Sequence, residues 1–347
     1  MTTPAPIYHL ALRDLHAAAG ATFANYAGWS LPVSYGLGPP AEHQALRASA
    51  VLMDRSHRSR FLVTGTDALD VLNETFAGHV EDLEEGRAMR TARLDGAGQI
   101  DDLVLVARTG GIAYLVIGEP SQRPGTLAAL RAAVRPDFDA QVEDRTESTC
   151  LVGVAGPSAA GLVAEHLADA LPARIQTLHC VTFQFHGFRG LAIRTSDTGE
   201  DGFEFMLAPA VAQHLIETLA PVAPLAGLQA TEIARVEAAI PAYLPDLQPG
   251  LSPAEADLDV LLDIEGGVSG RILAGVILEG DPPPPATPIS ADGVPVGELR
   301  SCVKSPGLNA TIGLGIISSR LAFPGTQLTV GSSPATVVAK PFYRRRT

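Results

Sequence analysis

Cysteine is scarce in this sequence, which has three in 347 residues. Cys150, Cys180 and Cys302 lie far apart and lack C-x-x-C spacing, so the pattern favours structural thiols over a disulfide framework or a zinc knuckle. No cluster of cysteine and histidine has the spacing of metal ligands either. We therefore expect no metal site.

Long apolar runs are also missing. Hydrophobic residues make up 46% of the chain, yet they never form an uninterrupted run long enough to cross a bilayer. The N-terminal stretch up to Leu10 contains neither a basic start nor an apolar segment, which argues against a secretory signal. The sequence therefore predicts a cytoplasmic protein without a membrane span.

Positively charged residues are outnumbered: the sequence has 25 Lys and Arg against 38 Asp and Glu, which gives a formal net charge of -13. Nucleic acids and anionic lipids attract proteins that carry clustered lysine and arginine. The sole basic cluster, Arg344-Arg345-Arg346, predicts either a solvated tail or a contact with an anionic ligand or partner. We expect neither a nucleic-acid partner nor a membrane partner.

The order of secondary structure is typical of an α+β protein. Short β-branched segments alternate with amphipathic helices through the first two thirds of the chain, and no G-x-G-x-x-G opens a helix after a strand. Proline-rich stretches follow, such as residues 282–285, and they are incompatible with regular helix or a central strand. From Ile272 onward, short β-rich segments separated by glycine and proline predict a small β-barrel.

Four separated groups of motifs follow one another along nearly the whole chain. They are A-G-W-x-x-P at residues 27–32 with Glu42-His43 and D-R-S-H at residues 54–57; I-D-D-L at residues 100–103; T-G-E-D-G-F-E at residues 198–204; and A-R-V-E-A at residues 234–238 with S-P-G-L at residues 305–308. P-G-T at residues 324–326 and K-P-F-Y at residues 340–343 close the C-terminal region. In this order and spacing the sequence resembles the glycine-cleavage T-protein (aminomethyltransferase) family.

The resemblance implies an α+β, three-domain clover-leaf fold around a central opening that holds tetrahydrofolate, with a small β-barrel at the C-terminus. We expect residues 1–52 and 140–240 to form the first domain and residues 53–139 the second. Residues 241–271 would connect these to the barrel, residues 272–347.

The resemblance also implies chemistry. In the parent family a lipoyl-bound aminomethyl group is split into ammonia and methylenetetrahydrofolate, and other members demethylate N-methyl, O-methyl or sulfonium substrates with the same acceptor. Because a fold does not fix a substrate, we expect a tetrahydrofolate-dependent one-carbon transferase that acts on an amine or methyl-bearing small molecule. A lipoyl-carrier protein is a possible partner.

Two carboxylates match functional positions of that family. Asp102 matches the catalytic aspartate, where a carboxylate can orient a nucleophilic nitrogen, relay a proton and stabilise an iminium-like cation. Glu204 matches the residue that grips the pterin ring, since a carboxylate accepts two parallel hydrogen bonds. The alternatives are structural: Asp101 and Asp102 could bond backbone amides in a turn, and Glu204 could be a surface carboxylate on a strand.

Other positions depart from the family pattern. Arg90 replaces a tyrosine of the family, and Glu119 replaces an asparagine. Asp197 lies in the segment before T-G-E-D-G where the family has a tyrosine. Arg58 replaces a methionine. We include these four residues among the expected cofactor-binding side chains. With Thr231 in place of an arginine, the changes imply either that the glutamyl tail of folate is held differently or that another anionic ligand replaces it.

Two other functions stay open. One is a repurposed enzyme that uses the central cavity for folate-independent chemistry. The other is a non-enzymatic folate-binding protein that supports iron–sulfur cluster upkeep, although the K-G-C-Y-type motif of those relatives is missing from this sequence. His57 and Trp29 are interpreted as structural residues. Arg235 and Glu237 on the A-R-V-E helix are expected to pair across the domain interface and hold the cavity walls, which is also a structural role.

Overall fold

The computed structural model describes residues 7–167, 171–248, 250–264, 267 and 269–345. They divide into two compact units. The first unit comprises Met1–Arg93, Asp102–Ser196 and Glu200–Ala230, and the second comprises Leu94–Asp101, Asp197–Gly199 and Thr231–Thr347.

Helices and strands alternate along the described residues. The helices are α1 (Arg13–Ala18), α2 (Pro39–Ala48), α3 (Ala68–Thr75), α4 (Arg123–Ala133), α5 (Ala159–His166), α6 (Leu171–Arg174), α7 (Pro209–Leu219), α8 (Leu228–Glu237) and α9 (Asp259–Leu262). The strands are β1 (Tyr8–His9), β2 (Thr22–Tyr26), β3 (Trp29–Ser34), β4 (Val51–Asp54), β5 (Ser59–Thr64), β6 (Ala88–Leu94), β7 (Ile100–Gly110), β8 (Ala113–Gly118), β9 (Gln141–Asp144), β10 (Cys150–Ala155), β11 (Cys180–Phe185), β12 (Phe188–Ile193), β13 (Gly202–Leu207), β14 (Arg271–Leu278), β15 (Pro288–Ala291), β16 (Val294–Ser305), β17 (Ala310–Ser318), β18 (Gln327–Val330) and β19 (Ser333–Val338).

Helix α7 shows how the sequence specifies one of these elements. It begins at Pro209, and proline suits the first helical turn because the N–H it lacks would have no partner inside the helix. Its apolar residues recur at helical spacing and are buried: Val211, Ala212, Leu215, Ile216 and Leu219. Burial of a leucine or isoleucine side chain contributes roughly 1.5–3 kcal/mol, so this face fixes the helix against the sheet.

Two five-stranded sheets form the framework of the first unit. Their strand orders are β11-β12-β13-β10-β4 and β6-β7-β8-β5-β9. In the first sheet β10 pairs with β13 so that Gly153 lies opposite Glu204. In the second, β5 pairs with β8 so that Ser59 lies opposite Gly118. These two registers position the side chains discussed below.

The second unit contains a closed barrel with the strand order β14-β17-β16-β15-β18-β19. Its interior is apolar and includes Val276, Ile289 and Ile317. The α+β class and the C-terminal barrel predicted from the sequence are confirmed, with the first barrel strand beginning at Arg271. The domain boundaries expected from the sequence stay a prediction.

A buried charged network ties α8 to the barrel strands within the second unit. The guanidinium of Arg235 contacts Glu232 and Asp246 and donates to Ser301 on β16. The carboxylate of Asp246 also accepts from the backbone N–H of Ala242 at 2.8 Å. Glu237 on the same helix accepts a hydrogen bond from the Ser305 hydroxyl. Both residues are thus structural within the second unit, and their expected pairing across a domain interface stays a prediction.

Within the described residues, no helix is both long enough and apolar enough to cross a membrane.

Candidate functional site

Asp102 lies on β7 and is completely buried. One carboxylate oxygen, Oδ2, accepts a hydrogen bond from the Thr126 hydroxyl at 2.5 Å. The other, Oδ1, accepts from the backbone N–H of Glu119 at 3.0 Å. Both oxygens are therefore held by donors that come from α4 and from the residue after β8.

Burial dominates the acidity of this carboxyl. It raises the pKa of Asp102 to about 7, and the negative charge of Glu119 adds to the increase. The hydrogen bonds from Thr126 and the Glu119 N–H, and the charge of Arg58, oppose it. A carboxyl that titrates near neutral pH can both take and give a proton, as an acid–base catalyst must.

Gly118 makes room for this carboxylate. A Cβ at this position would lie 2.8 Å from Asp102 Oδ2 and 2.9 Å from Ser59 Oγ. The Ser59 hydroxyl is itself buried, with no hydrogen-bond partner in the part of the chain that the structure describes. Because buried polar atoms nearly always have partners, a hydroxyl left without one next to a buried acid calls for an explanation.

Thr126 is also contacted by an arginine. Arg93 Nε lies 3.4 Å from the Thr126 oxygen, and Arg93 Nη2 lies 3.3 Å from Gln122 Oε1. Since the threonine oxygen accepts from Arg93, its own hydrogen is directed to Asp102. Neither Thr126 nor Arg93 was predicted from the sequence, because spacing along a helix or strand does not show which side chains meet between different elements.

Arg58 and Glu119 lie next to Asp102. Arg58 Nη2 is 3.6 Å from Glu119 Oε1, and its Nε lies 3.5 Å from the carbonyl oxygen of Gly118. Arg58 is 7% exposed, so its charge lies in a poorly solvated environment. The structure therefore brings together Asp102, Glu119 and Arg58, three of the residues predicted to form the site.

Glu204 lies on β13 and is 4% exposed. Its Oε1 is 3.1 Å from Nε of Arg55, the second residue of the D-R-S-H motif. No role for Arg55 was predicted from the sequence. The surface-strand alternative for Glu204 is wrong, because the carboxylate is buried and has a charged partner.

The other acids of the T-G-E-D-G-F-E motif also have arginine partners. Arg47 Nη1 lies 2.9 Å from Glu200 Oε1, and Arg194 Nε lies 2.9 Å from Asp201 Oδ1. Both contacts fix the segment that leads into β13, which is a structural role.

Arg90 contacts the segment that follows β12. Arg90 Nη2 lies 3.1 Å from the Thr195 hydroxyl and 3.5 Å from the Ser196 carbonyl oxygen. It thereby fixes the segment that follows β12. Asp197 belongs to the second unit. Their assignment as cofactor-binding residues stays a prediction.

The loop that carries Arg55 and Arg58 is anchored by a buried polar chain. The Tyr35 hydroxyl lies 2.9 Å from His16 Nδ1, and His16 Nε2 lies 2.8 Å from Asp54 Oδ2. Asp54 Oδ1 accepts the backbone N–H of Ser56 at 2.8 Å. Although burial by itself would raise the pKa of Asp54, the hydrogen bonds from His16 and Ser56 lower it, so the residue is ionised and holds the loop.

His57 and Trp29 pack as structural residues. Burial, with the charges of Arg55 and Arg58, lowers the pKa of His57 to about 3. The imidazole is therefore neutral at neutral pH, and it meets the Tyr26 ring edge-on at 6.1 Å. Trp29 is 4% exposed and stacks on Tyr8 at 5.1 Å.

A groove of about 550 Å³ lies elsewhere in the first unit. Its walls include Leu115, Leu191 and Met206, with Thr182 and Arg189 among the polar residues. None of the predicted site residues lines it, so the groove is no evidence for their role. Among the described residues, no group of three or more His, Cys, Asp or Glu side chains is placed to hold a metal ion.

Comparisons with known proteins agree with this architecture. The GCVT N-terminal domain model matches residues 12–266, and the glycine cleavage T-protein C-terminal barrel domain model matches residues 271–344. The aminomethyltransferase of Streptomyces avermitilis is 34% identical over 100% of both chains. That of Streptomyces coelicolor is 34% identical over 97% of both.

A solved structure matches in fold. The glycine cleavage system aminomethyltransferase T from Bartonella henselae superposes with a TM-score of 0.89, at 24% identity, over 98% of this chain and 99% of that one. The family models cover nearly the whole sequence, and the full-length relatives confirm what its motifs predicted: the chain belongs to the glycine cleavage T-protein family.

Proposed function

We propose that the protein is a tetrahydrofolate-dependent one-carbon transferase in which Asp102 is the catalytic acid–base residue. The observation that carries the proposal is the state of Asp102: a fully buried carboxyl with a pKa of about 7, held on both oxygens by hydrogen-bond donors. General acid–base catalysis works best with such a pKa at neutral pH. Membership of an aminomethyltransferase family supports the same reaction class.

The residues present fit a reduced folate. Glu204 would hold the pterin ring, because a buried carboxylate can accept its N–H donors in parallel. Asp102, with both oxygens oriented by donors, would face the nitrogens that receive the one-carbon unit. When bound, tetrahydrofolate supplies the nitrogens that accept the one-carbon unit.

Asp102 then has two tasks. In its ionised form it stabilises the positive charge that develops on the one-carbon unit during transfer. It also takes the proton that the accepting nitrogen releases, and Thr126 keeps the carboxylate oriented through its hydroxyl. Arg93 orients Thr126 and acts on the reaction only through it.

We propose an amine or methyl-bearing small molecule as the donor, with a lipoyl-carrier protein as a possible partner, in the cytoplasm. The relatives from Streptomyces avermitilis and Streptomyces coelicolor are named aminomethyltransferases, which supports an aminomethyl donor. The charged Arg58–Glu119 contact beside Asp102 is the feature that would adapt the site to a polar donor.

Calorimetric titration with tetrahydrofolate tests the proposal. The wild-type protein is expected to bind, and Glu204→Gln is expected to weaken binding by about tenfold or more, because a hydrogen bond to a charged group contributes about 1.5–3 kcal/mol. Asp102→Asn is expected to keep binding and to lower turnover by about 100-fold to 10,000-fold. Binding that Glu204→Gln leaves unchanged, or turnover that survives Asp102→Asn, would contradict the assignment.

Folate-independent chemistry is the second candidate, and the Arg58–Glu119 contact favours it. Charged side chains stand there where the resemblance implies neutral ones. If the wild-type protein binds no reduced folate in the same titration while it consumes another metabolite, this candidate replaces the first.

A further inference from the structure

The contact between Arg55 and Glu204 changes what the carboxylate can bind. The two side chains are 15% and 6% exposed, and the distance from Nε to Oε1 is 3.1 Å. At this separation in a poorly solvated environment, each charge strongly affects any third charge that approaches the pair. A ligand at Glu204 therefore encounters a carboxylate with a fixed cation beside it.

A glycine on the strand between them allows Arg55 to reach Glu204. Arg55 follows β4, and Glu204 lies on β13, with β10 between these two strands in the sheet. Gly153 of β10 pairs with Met53 on one side and with Glu204 on the other. A Cβ at Gly153 would lie 3.5 Å from Cδ and 3.6 Å from Cγ of Arg55, so the arginine stem passes directly over the glycine.

The loop beneath Arg55 is rigid. Ser56 donates its backbone N–H to Asp54, and its hydroxyl accepts the Leu151 N–H at 2.9 Å. The buried guanidinium of Arg60 donates to the carbonyl oxygen of Ser56 at 3.1 Å. The backbone N–H of Arg55 itself donates to the Leu151 carbonyl oxygen at 2.8 Å. The backbone at Arg55 is therefore fixed, and the arginine stem that passes over Gly153 places the guanidinium beside Glu204.

Two kinds of pteridine ring differ in how they would interact with a carboxylate that has a guanidinium beside it. A 2,4-diamino ring is basic, and it binds carboxylates best as a protonated cation, which a neighbouring guanidinium repels. A 4-oxo ring is neutral and presents N–H donors beside a carbonyl acceptor. Since arginine carries several N–H donors in a planar fork, it can bind both a carboxylate and such an acceptor.

We propose that Arg55 is a specificity-determining residue that makes the Glu204 subsite select neutral 4-oxo pteridines and reject 2,4-diamino pteridines. This inference rests on the proposed folate function and concerns the same site. It assigns Arg55 a role that the motif resemblance did not.

The test is a pair of calorimetric titrations with tetrahydrofolate and its 4-amino counterpart, tetrahydroaminopterin, which differ only at ring position 4. The wild-type protein is expected to bind the 4-oxo compound at least about tenfold more tightly, the ratio typical of one charge-assisted contact. Arg55→Gln is expected to reduce that ratio by about tenfold, and Arg55→Lys, which keeps the charge, to retain most of it.

Arg47→Gln is the matched control, because it removes an arginine from the neighbouring buried contact with Glu200. It is expected to leave the ratio of affinities unchanged, and thermal unfolding shows that each variant is folded. If Arg55→Gln weakens both ligands equally, Arg55 is only structural and the inference is wrong while the folate function stands. If the wild-type protein binds neither ligand, both proposals fail together.

Discussion

Asp102 illustrates how a single buried carboxyl couples function to stability. Its pKa in the folded protein is about 7, whereas an aspartate in an unfolded chain titrates near about 3.9. Between these two values the folded state holds a proton that the unfolded state has lost. The free energy of unfolding therefore falls as the pH rises from about 4 to about 7, and it levels off above that range.

Asparagine does not titrate, so Asp102→Asn lacks this loss of stability. The free energy of unfolding of the variant minus that of the wild type is therefore expected to increase from pH 4 to pH 8. Urea unfolding of both proteins at several pH values in this range measures the difference. If this difference is independent of pH, Asp102 does not hold a proton in the folded protein between pH 4 and pH 7, and the prediction is wrong.

The sequence predicted the position of Asp102 but not its environment. Strand alternation separates neighbouring side chains, and Asp102 is indeed buried, whereas Asp101 is partly exposed. Thr126 and the Glu119 N–H become its partners only because α4 and the end of β8 meet β7. Arg55 was within a recognised motif, yet no spacing rule connects it to Glu204, since Gly153 makes the contact possible.

At the scale of elements, the close approach of β5, β7 and β8 depends on a glycine. Gly118→Ala would place a methyl group within 3.0 Å of both Asp102 and Ser59. We expect it to lower the free energy of unfolding by about 1–3 kcal/mol and to impair turnover, because the crowded carboxylate must move. Chemical unfolding and activity assays measure the two effects.

Gly161→Ala on α5 is the matched control. Apart from the nearby backbone of its own helix, no heavy atom of the described residues would lie within 4 Å of the added Cβ. Alanine is also the better helix former by about 0.5–1 kcal/mol. It is expected to be neutral or stabilising. Equal losses in Gly118→Ala and Gly161→Ala would show that crowding at Asp102 is not the cause.

Buried hydrogen bonds connect Tyr35 to His16 on α1 and His16 to Asp54 on β4. Tyr35→Phe leaves His16 Nδ1 without its hydrogen-bond partner in a fully buried setting. We expect a loss of about 1–3 kcal/mol in the free energy of unfolding, the usual result of an unsatisfied buried polar atom. Tyr8→Phe, at a residue 43% exposed, is expected to change stability by less than about 0.5 kcal/mol. Similar urea midpoints for the two variants would show that the hydrogen bond between Tyr35 and His16 contributes little to stability.

At the scale of the whole molecule, the order of motifs along the sequence was enough to predict the family, the α+β class and the C-terminal barrel, and all three are confirmed. The prediction of an enzyme is likewise confirmed by the full-length relatives. The substrate could not be predicted, because it depends on a few side chains whose neighbours come from distant parts of the chain.

The buried network of the barrel unit yields a prediction at this scale. Asp246→Ala would leave the guanidinium of Arg235, which is 5% exposed, without its buried carboxylate. Breaking such a pair from one side costs about 3–5 kcal/mol. Arg271→Gln breaks a more exposed contact with Glu255 at 2.6 Å and is expected to cost no more than about 1 kcal/mol. Denaturant unfolding compares the variants, and equal losses would contradict the prediction.

The space left by Gly118 also links two positions on neighbouring strands. A side chain at position 118 would meet the ends of the Asp102 and Ser59 side chains, which would have to shift. A designer who grafts the buried acid onto another scaffold must therefore transfer the glycine with it.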